Sequence, residues 1–196
     1  MAANEKTPIE ESALLVIDVQ ESFRADAARW ETRSNPRFEE NVARLVDAYR
    51  DAGLPVIFVL HEDGDELFRP GSPYVHLMGF LAPAEGEPVL RKNTRNAFTS
   101  TNLADVLAER GARRLAIAGI QTEQCCETTA RVAGDLGYDV DFVTEATLTF
   151  PITDAATGDV QPTAAIVRAT EFALRGRFAR IATVDALAAE LAVVPA

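Results

Sequence analysis

Cysteine is nearly absent from this chain: two occur in 196 residues, and they are neighbours, Cys125 and Cys126. Adjacent cysteines cannot staple distant segments, which excludes a disulfide framework and points to a reducing compartment. Positive charge is also in deficit. The 19 lysines and arginines are outweighed by 30 aspartates and glutamates, a net charge of −11, so nucleic acid and anionic membrane surfaces are poor partners. That charge reads as solubility. No apolar run approaches the ~20 residues of a membrane span. Residues 1–12 are polar and lack the apolar centre of a signal peptide. Internal repeats, low-complexity tracts and linkers are absent as well. These absences predict a cytoplasmic protein folded as a single domain over residues 1–196.

What is present is an ordinary globular balance, 47% hydrophobic and 25% charged residues. Apolar runs at residues 13–17, 55–60, 89–91, 115–118, 139–143 and 181–183 read as six strands. Most are continuous rather than alternating in polarity, as strands buried on both faces are. Between them lie helical patterns. One begins at Asn35-Pro36, repeats Phe38, Val42, Leu45, Val46 and Tyr49, and stops at Gly53; another carries Leu103, Val106 and Leu107 up to Gly111. Further helices are predicted from Thr122 to near Gly137, over 164–174 and over 184–191. Residues 21–36, 62–87 and 144–162 read as loops, the second long enough to suggest function or mobility. Strands alternating with helices predict an α/β domain. It is a doubly wound, mostly parallel six-stranded sheet of Rossmann type, with helices on both faces.

In such sheets ligands bind beyond the carboxyl ends of the strands. Asp18, Lys92 and Cys125 all fall at such ends. Singly, each has a plain reading: a turn former, a solvated cation and a small buried hydrophobe. Together they form a working set, in which Lys92 favours a thiolate at Cys125 and Asp18 takes and returns its proton. In the central stretch Gly119 breaks a strand, and Thr122 is positioned to cap a helix. Cys125 then falls where backbone N–H groups and the helix dipole would lower a thiol pKa. The expectation is a thiol titrating well below an unperturbed cysteine.

The chain resembles the isochorismatase-like cysteine hydrolase superfamily, relatives of the nicotinamidases and N-carbamoylsarcosine amidases. The resemblance rests on Leu14-Leu15-Val16-Ile17-Asp18-Val19-Gln20, on Arg91-Lys92 followed by Asn96-Ala97-Phe98, and on Gly119-Ile120-Gln121-Thr122-Glu123-Gln124-Cys125. Thr129-Ala130-Arg131 and Asp135-Leu136-Gly137-Tyr138 extend it, in order, over nearly the whole chain. It implies a catalytic triad of Asp18, Lys92 and Cys125, and a non-proline cis peptide at Ile120-Gln121. It further implies an oxyanion hole from the N–H groups of Gln121 and Cys125, and hydrolysis of a C–N bond through a thioester. Its pocket geometry offers Phe23, Trp30, His61, Phe98 and Gln124 as substrate contacts. For the aromatics, core or lid packing is the competing role, and for His61 a structural hydrogen bond. Cys126 is expected to pack between helix and sheet.

Nicotinamidases of this superfamily hold a metal on an Asp-x-His segment and a later histidine. The corresponding segment here is His61-Glu62-Asp63, with only His76 beyond it, so neither metal nor other cofactor is expected. The resemblance implies a small-molecule substrate and a homo-oligomer, dimer or tetramer. Two other functions compete with the amidohydrolase: a vinyl-ether hydrolase of isochorismatase type, in which the aspartate acts without the cysteine, and a non-catalytic oligomeric binding member. Cys125 speaks against the former, the complete triad against the latter.

Overall fold

A computed structural model describes residues 7–194. Residues 1–6, 195 and 196, to which the expectations for the amino terminus and for a domain over 1–196 extend, lie outside the described residues. The chain runs β1 (Ser12–Ile17), α1 (Ser22–Ala25), α2 (Ala27–Trp30), α3 (Phe38–Asp51), β2 (Val56–His61), β3 (Val89–Lys92), α4 (Leu103–Glu109) and β4 (Arg114–Ile120). A π-helical turn, Thr122–Cys126, leads into α5 (Glu127–Asp135). Then come β5 (Asp139–Leu148), the short strands β6 (Ile152–Thr153) and β7 (Val160–Gln161), α6 (Thr163–Leu174), β8 (Arg180–Ile181) and α7 (Val184–Leu191). No helix among the described residues is long and apolar enough to cross a membrane.

The main sheet has the order β3-β2-β1-β4-β5-β8, and every pairing is parallel. The strand order reverses between β1 and β4, which opens a crevice beyond their carboxyl ends. Period-two side chains divide each strand between two cores. Leu14 and Val16 of β1 meet Phe38, Val42, Leu45, Val46 and Tyr49 of α3, with Leu187 and Leu191 of α7. Ala13, Leu15 and Ile17 meet Leu103 and Leu107 of α4, and Ala130 and Ala133 of α5. The helical spacing of α3 therefore lays one stripe on the sheet. Gly53, at φ +65°, ends that helix in the left-handed conformation that side chains disfavour.

The structure differs from the sequence reading in its connections. Residues 21–36 contain two four-residue helices, with Asp26 capping the second by accepting from the Arg29 N–H. β5 runs five residues past 143, so the loop assigned to 144–162 begins later and carries the β6–β7 hairpin. A register shift opposite Ile117 and Gly119 lets this strand bend and continue in pairing. The closing strand covers Arg180–Ile181 rather than 181–183. Gly119 does not end β4 but lies within it. Its φ is +136°, and a Cβ there would stand 1.9 Å from the Ile17 carbonyl oxygen on β1. Only glycine lets β4 pass so close to the residue before Asp18. Gly119→Ala is expected to cost about 3 kcal/mol or more, read as a lowered urea midpoint. A midpoint within experimental error of wild type would mean the two strands have room to part.

Candidate active site

Asp18 follows β1 directly, at φ +54°. Its N–H donates to the Val59 carbonyl at 2.7 Å and its own carbonyl accepts from Gln20 N–H at 2.9 Å. These bonds fix a strained backbone and turn the carboxylate into the protein, where its side chain has no solvent exposure. Lys92 closes β3, two strands away, opposite His61 in register. Its side chain is also wholly buried. Cys125 sits on the π-helical turn after β4 and is 4% exposed.

These three side chains meet. The Lys92 ammonium donates to Asp18 Oδ2 at 2.7 Å, to Cys125 Sγ at 3.3 Å and to His61 Nδ1 at 3.2 Å. An ammonium has three hydrogens, and here all three have an acceptor. Asp18 Oδ1 is buried and takes no hydrogen bond from a nitrogen or hydroxyl among the described residues, while the Asp18 carboxylate and the Cys125 thiol act on each other directly. An unmatched carboxylate oxygen beside a thiol is a place for a proton to arrive.

The electrostatics overturn one expectation. Burial, and then the Asp18 charge, push the Cys125 thiol up to about 12, against the opposing pull of Lys92. Burial also raises the Asp18 carboxyl, with Lys92 again opposing. The cysteine does lie at the amino-terminal end of a continuous helical stretch, residues 122–135, but burial outweighs any help from that end. Thr122 does not cap the turn. Its hydroxyl donates to Thr147 Oγ1 at 2.9 Å, and Gln121 occupies the cap position without a side-chain bond. Cys125 therefore rests as a neutral thiol, and during reaction Asp18 is the base placed to take its proton. A raised thiol pKa means reactivity climbs with pH. Iodoacetamide alkylation of Cys125 should still be accelerating above pH 9, past the ~8.5 midpoint of an unperturbed cysteine. A plateau below pH 8 would contradict this environment.

The Ile120–Gln121 peptide is cis, as the resemblance implies. The Gln121 carbonyl accepts from the N–H groups of Gln124 and Cys126, both at 3.2 Å. Gln124 is half-buried on the same turn, and Cys126 is fully buried in the second core. Both cysteines are free thiols.

Among the expected substrate contacts, His61 joins the central group and is 4% exposed. Phe23 reaches it through one intermediary: its ring stands edge-on to Phe68 at 5.0 Å, and Phe68 lies 6.1 Å from the imidazole. Trp30 is buried in the first core, packed on Phe150 at 6.3 Å with Arg24 and Arg33 over its ring. Phe98 turns to Tyr138, at 5.8 Å, against the second core. Two surface hollows, of about 590 and 430 Å³, contain none of Asp18, Lys92 and Cys125. The first is lined in part by Arg114 and Arg180, whose charges are matched by Asp141 and Glu190.

Three residues carry weight that the sequence reading did not assign. Gln20 bridges from the end of β1 to the adjacent β2: its Oε1 accepts from the His61 N–H at 2.8 Å, and its Nε2 donates to the His61 carbonyl at 3.1 Å. Asp63 Oδ2 and Arg95 Nη1 lie 3.1 and 3.0 Å from His61 Nε2. For Gln20 the visible signal is an amide three residues after an apolar strand. No group of three or more His, Cys, Asp or Glu among the described residues converges as a metal site would.

The family description that matches this chain is the isochorismatase domain, over residues 12–172. The uncharacterized isochorismatase family protein YrdC of Bacillus subtilis is 31% identical, covering 91% of this chain and 95% of that protein. Nicotinamidase 3 of Arabidopsis thaliana is 31% identical over 71% of this chain and 74% of its own length. A crystal structure described as an isochorismatase-family hydrolase, from Chromobacterium violaceum, superposes with a TM-score of 0.86 at 30% identity, covering 98% of this chain and 99% of that one.

Proposed function

The chain belongs to the isochorismatase family of hydrolases, and from that premise we propose that it is a cysteine amidohydrolase cleaving a C–N bond of a small amide, ureide or carbamoyl compound. The observation that supports this most is the single ammonium of Lys92 touching both a buried carboxylate and a buried thiol. A thiol is not needed to protonate a vinyl ether, whereas acyl transfer uses one as nucleophile. Nicotinamidase 3, an amide hydrolase by name, is among the relatives.

In the proposed reaction Cys125 Sγ bonds to the substrate carbonyl carbon while its proton passes to Asp18. The carbonyl π electrons move onto oxygen, where the N–H groups of Gln121 and Cys125 are assigned to receive them. As the tetrahedral centre collapses, the C–N bond breaks and Asp18 gives its proton to the departing nitrogen. Ammonia or an amine leaves, and a thioester remains on Cys125. Water then attacks that carbonyl, losing a proton to Asp18. The C–S bond breaks, the acid departs and the proton returns to sulfur. Throughout, Lys92 steadies whichever of Asp18 and Cys125 is anionic.

The reading is tested by mixing the protein with a panel of N-carbamoyl amino acids, simple ureides and nicotinamide, quenching in acid and weighing the Cys125 peptide. A mass increase equal to the acyl group is expected with any compound turned over. Turnover without any adduct, at quench times shorter than one cycle, would argue for direct attack by water.

A further inference from the structure

His61 is a buried imidazole that the reaction just described does not use. Its main chain is clamped on both sides by Gln20, its Nδ1 faces Lys92, and its Nε2 faces Asp63 and Arg95. We propose that His61 is a positioning residue, whose Nδ1 lone pair takes the third hydrogen of the Lys92 ammonium and so holds the other two on Asp18 and Cys125. This rests on the amidohydrolase reading for its purpose, and on the geometry alone for its arrangement.

Donors face both ring nitrogens: the Lys92 ammonium at Nδ1 and Arg95 Nη1, 3.0 Å from Nε2, and neither can accept. The proposal assigns the bare nitrogen to Nδ1 and the ring hydrogen to Nε2, where an acceptor is also at hand. Asp63 Oδ2, 3.1 Å from Nε2, is the acceptor that keeps it there. The imidazole is also held neutral. Burial and the Lys92 charge lower its pKa, while Asp18 and Asp63 oppose and Arg95 assists. A protonated ring would have no lone pair at Nδ1 and would turn Lys92 away. Without an acceptor at that point, the Lys92 side chain could rotate its ammonium to satisfy two partners in more than one way. A neutral sulfur is the weakest acceptor of the three, so the 3.3 Å contact to Cys125 is the first to be lost. The consequence falls on the thiol, because Lys92 is what draws its pKa down against burial.

Two substitutions separate the ring nitrogens. His61→Asn places an amide oxygen near the position of Nδ1, and His61→Gln reaches instead toward Nε2; both are polar and no larger than histidine. Iodoacetamide alkylation of Cys125, followed from pH 6 to 10, needs no substrate. A hydrogen bond to a charged group is worth enough that its loss should slow alkylation about tenfold to a hundredfold at a given pH. His61→Gln should show that loss, displacing the profile toward higher pH, and His61→Asn should stay within about threefold of wild type. Where a substrate is in hand, His61→Gln should lower kcat with little change in KM. Equal alkylation profiles for the two variants, a larger loss in His61→Asn, or no loss in either would overturn the assignment. Should His61→Gln prove unstable by thermal unfolding, Asp63→Asn reads the same link, because it loosens the tautomer and should slow alkylation in the same direction; an unchanged rate there would also overturn it. Failure of the wild type to hydrolyse any amide would strike the amidohydrolase reading alone, since the alkylation experiment stands without it.

Discussion

Asp18→Asn should lower turnover by ~10²–10⁴, and raising the pH should not restore it. The amide keeps the size of the carboxylate and can accept from Lys92, so substrate binding and the fold should survive. What is lost is proton transfer. Cys125 rests as a thiol pushed up to about 12 by burial and by Asp18. The proton that leaves sulfur goes to Asp18 and must later reach the departing nitrogen. Removing the Asp18 charge eases thiol ionisation, and higher pH supplies more thiolate, but neither supplies an acid for the leaving group. The measurement is kcat between pH 6 and 10 on any amide the wild type hydrolyses, with alkylation confirming an intact Cys125. Retention of more than about a tenth of wild-type turnover, short of the lower end expected for acid–base catalysis, would remove Asp18 from the proton path.

Lys92→Met should be comparably severe at neutral pH, for a different reason and with a different profile. Lys92 and Asp18 form an ion pair with no exposed surface on either side chain. Removing one partner of such a pair typically costs 3–5 kcal/mol, which the site avoids by protonating Asp18, already raised by burial. The variant then holds a neutral acid beside a neutral thiol, with no base at pH 7. A loss of roughly 10²–10⁴ in kcat follows, the size of general-base help withdrawn. Both groups have raised pKa values, so their charged forms are recovered as pH increases. Activity should accordingly climb with pH in Lys92→Met and stay low in Asp18→Asn. A flat profile in Lys92→Met, or a loss below tenfold, would mean that its positive charge is not what the reaction requires.

The parts of the fold that were legible in the sequence are those fixed by burial. β1, β2 and β4 are apolar but for one terminal residue each, Ser12, His61 and Arg114, because both sheet faces are covered, and the stripe of α3 declares its one buried side. Asp18, Lys92 and Cys125 could be singled out because a parallel sheet delivers strand ends to one edge whatever the loops do. The illegible features depend on encounters between distant segments. Nothing local in Gly119 says that Ile17 lies against it. β5 outruns its apolar stretch because a register shift lets Thr147 and Leu148 pair with β4. The thiol environment was not legible because burial and the Asp18 charge, both products of distant segments meeting, outweigh a nearby cation. His61 was legible as a strand-end residue, but its contact with Lys92 needed the cross-strand register. The aromatic candidates divided for a similar reason: Phe23 meets Phe68, which comes from the long segment 62–87, while Phe98 meets Tyr138.

The account stands most directly on Cys125 as the nucleophile of C–N cleavage. Ammonia release from small amides, ureides and carbamoyl compounds, compared between wild type and Cys125→Ala, tests that claim. The account predicts release by the wild type from at least one class of these compounds and none above background from Cys125→Ala. Release undiminished in Cys125→Ala, or a wild type that liberates pyruvate from isochorismate and no ammonia from any of them, would contradict it.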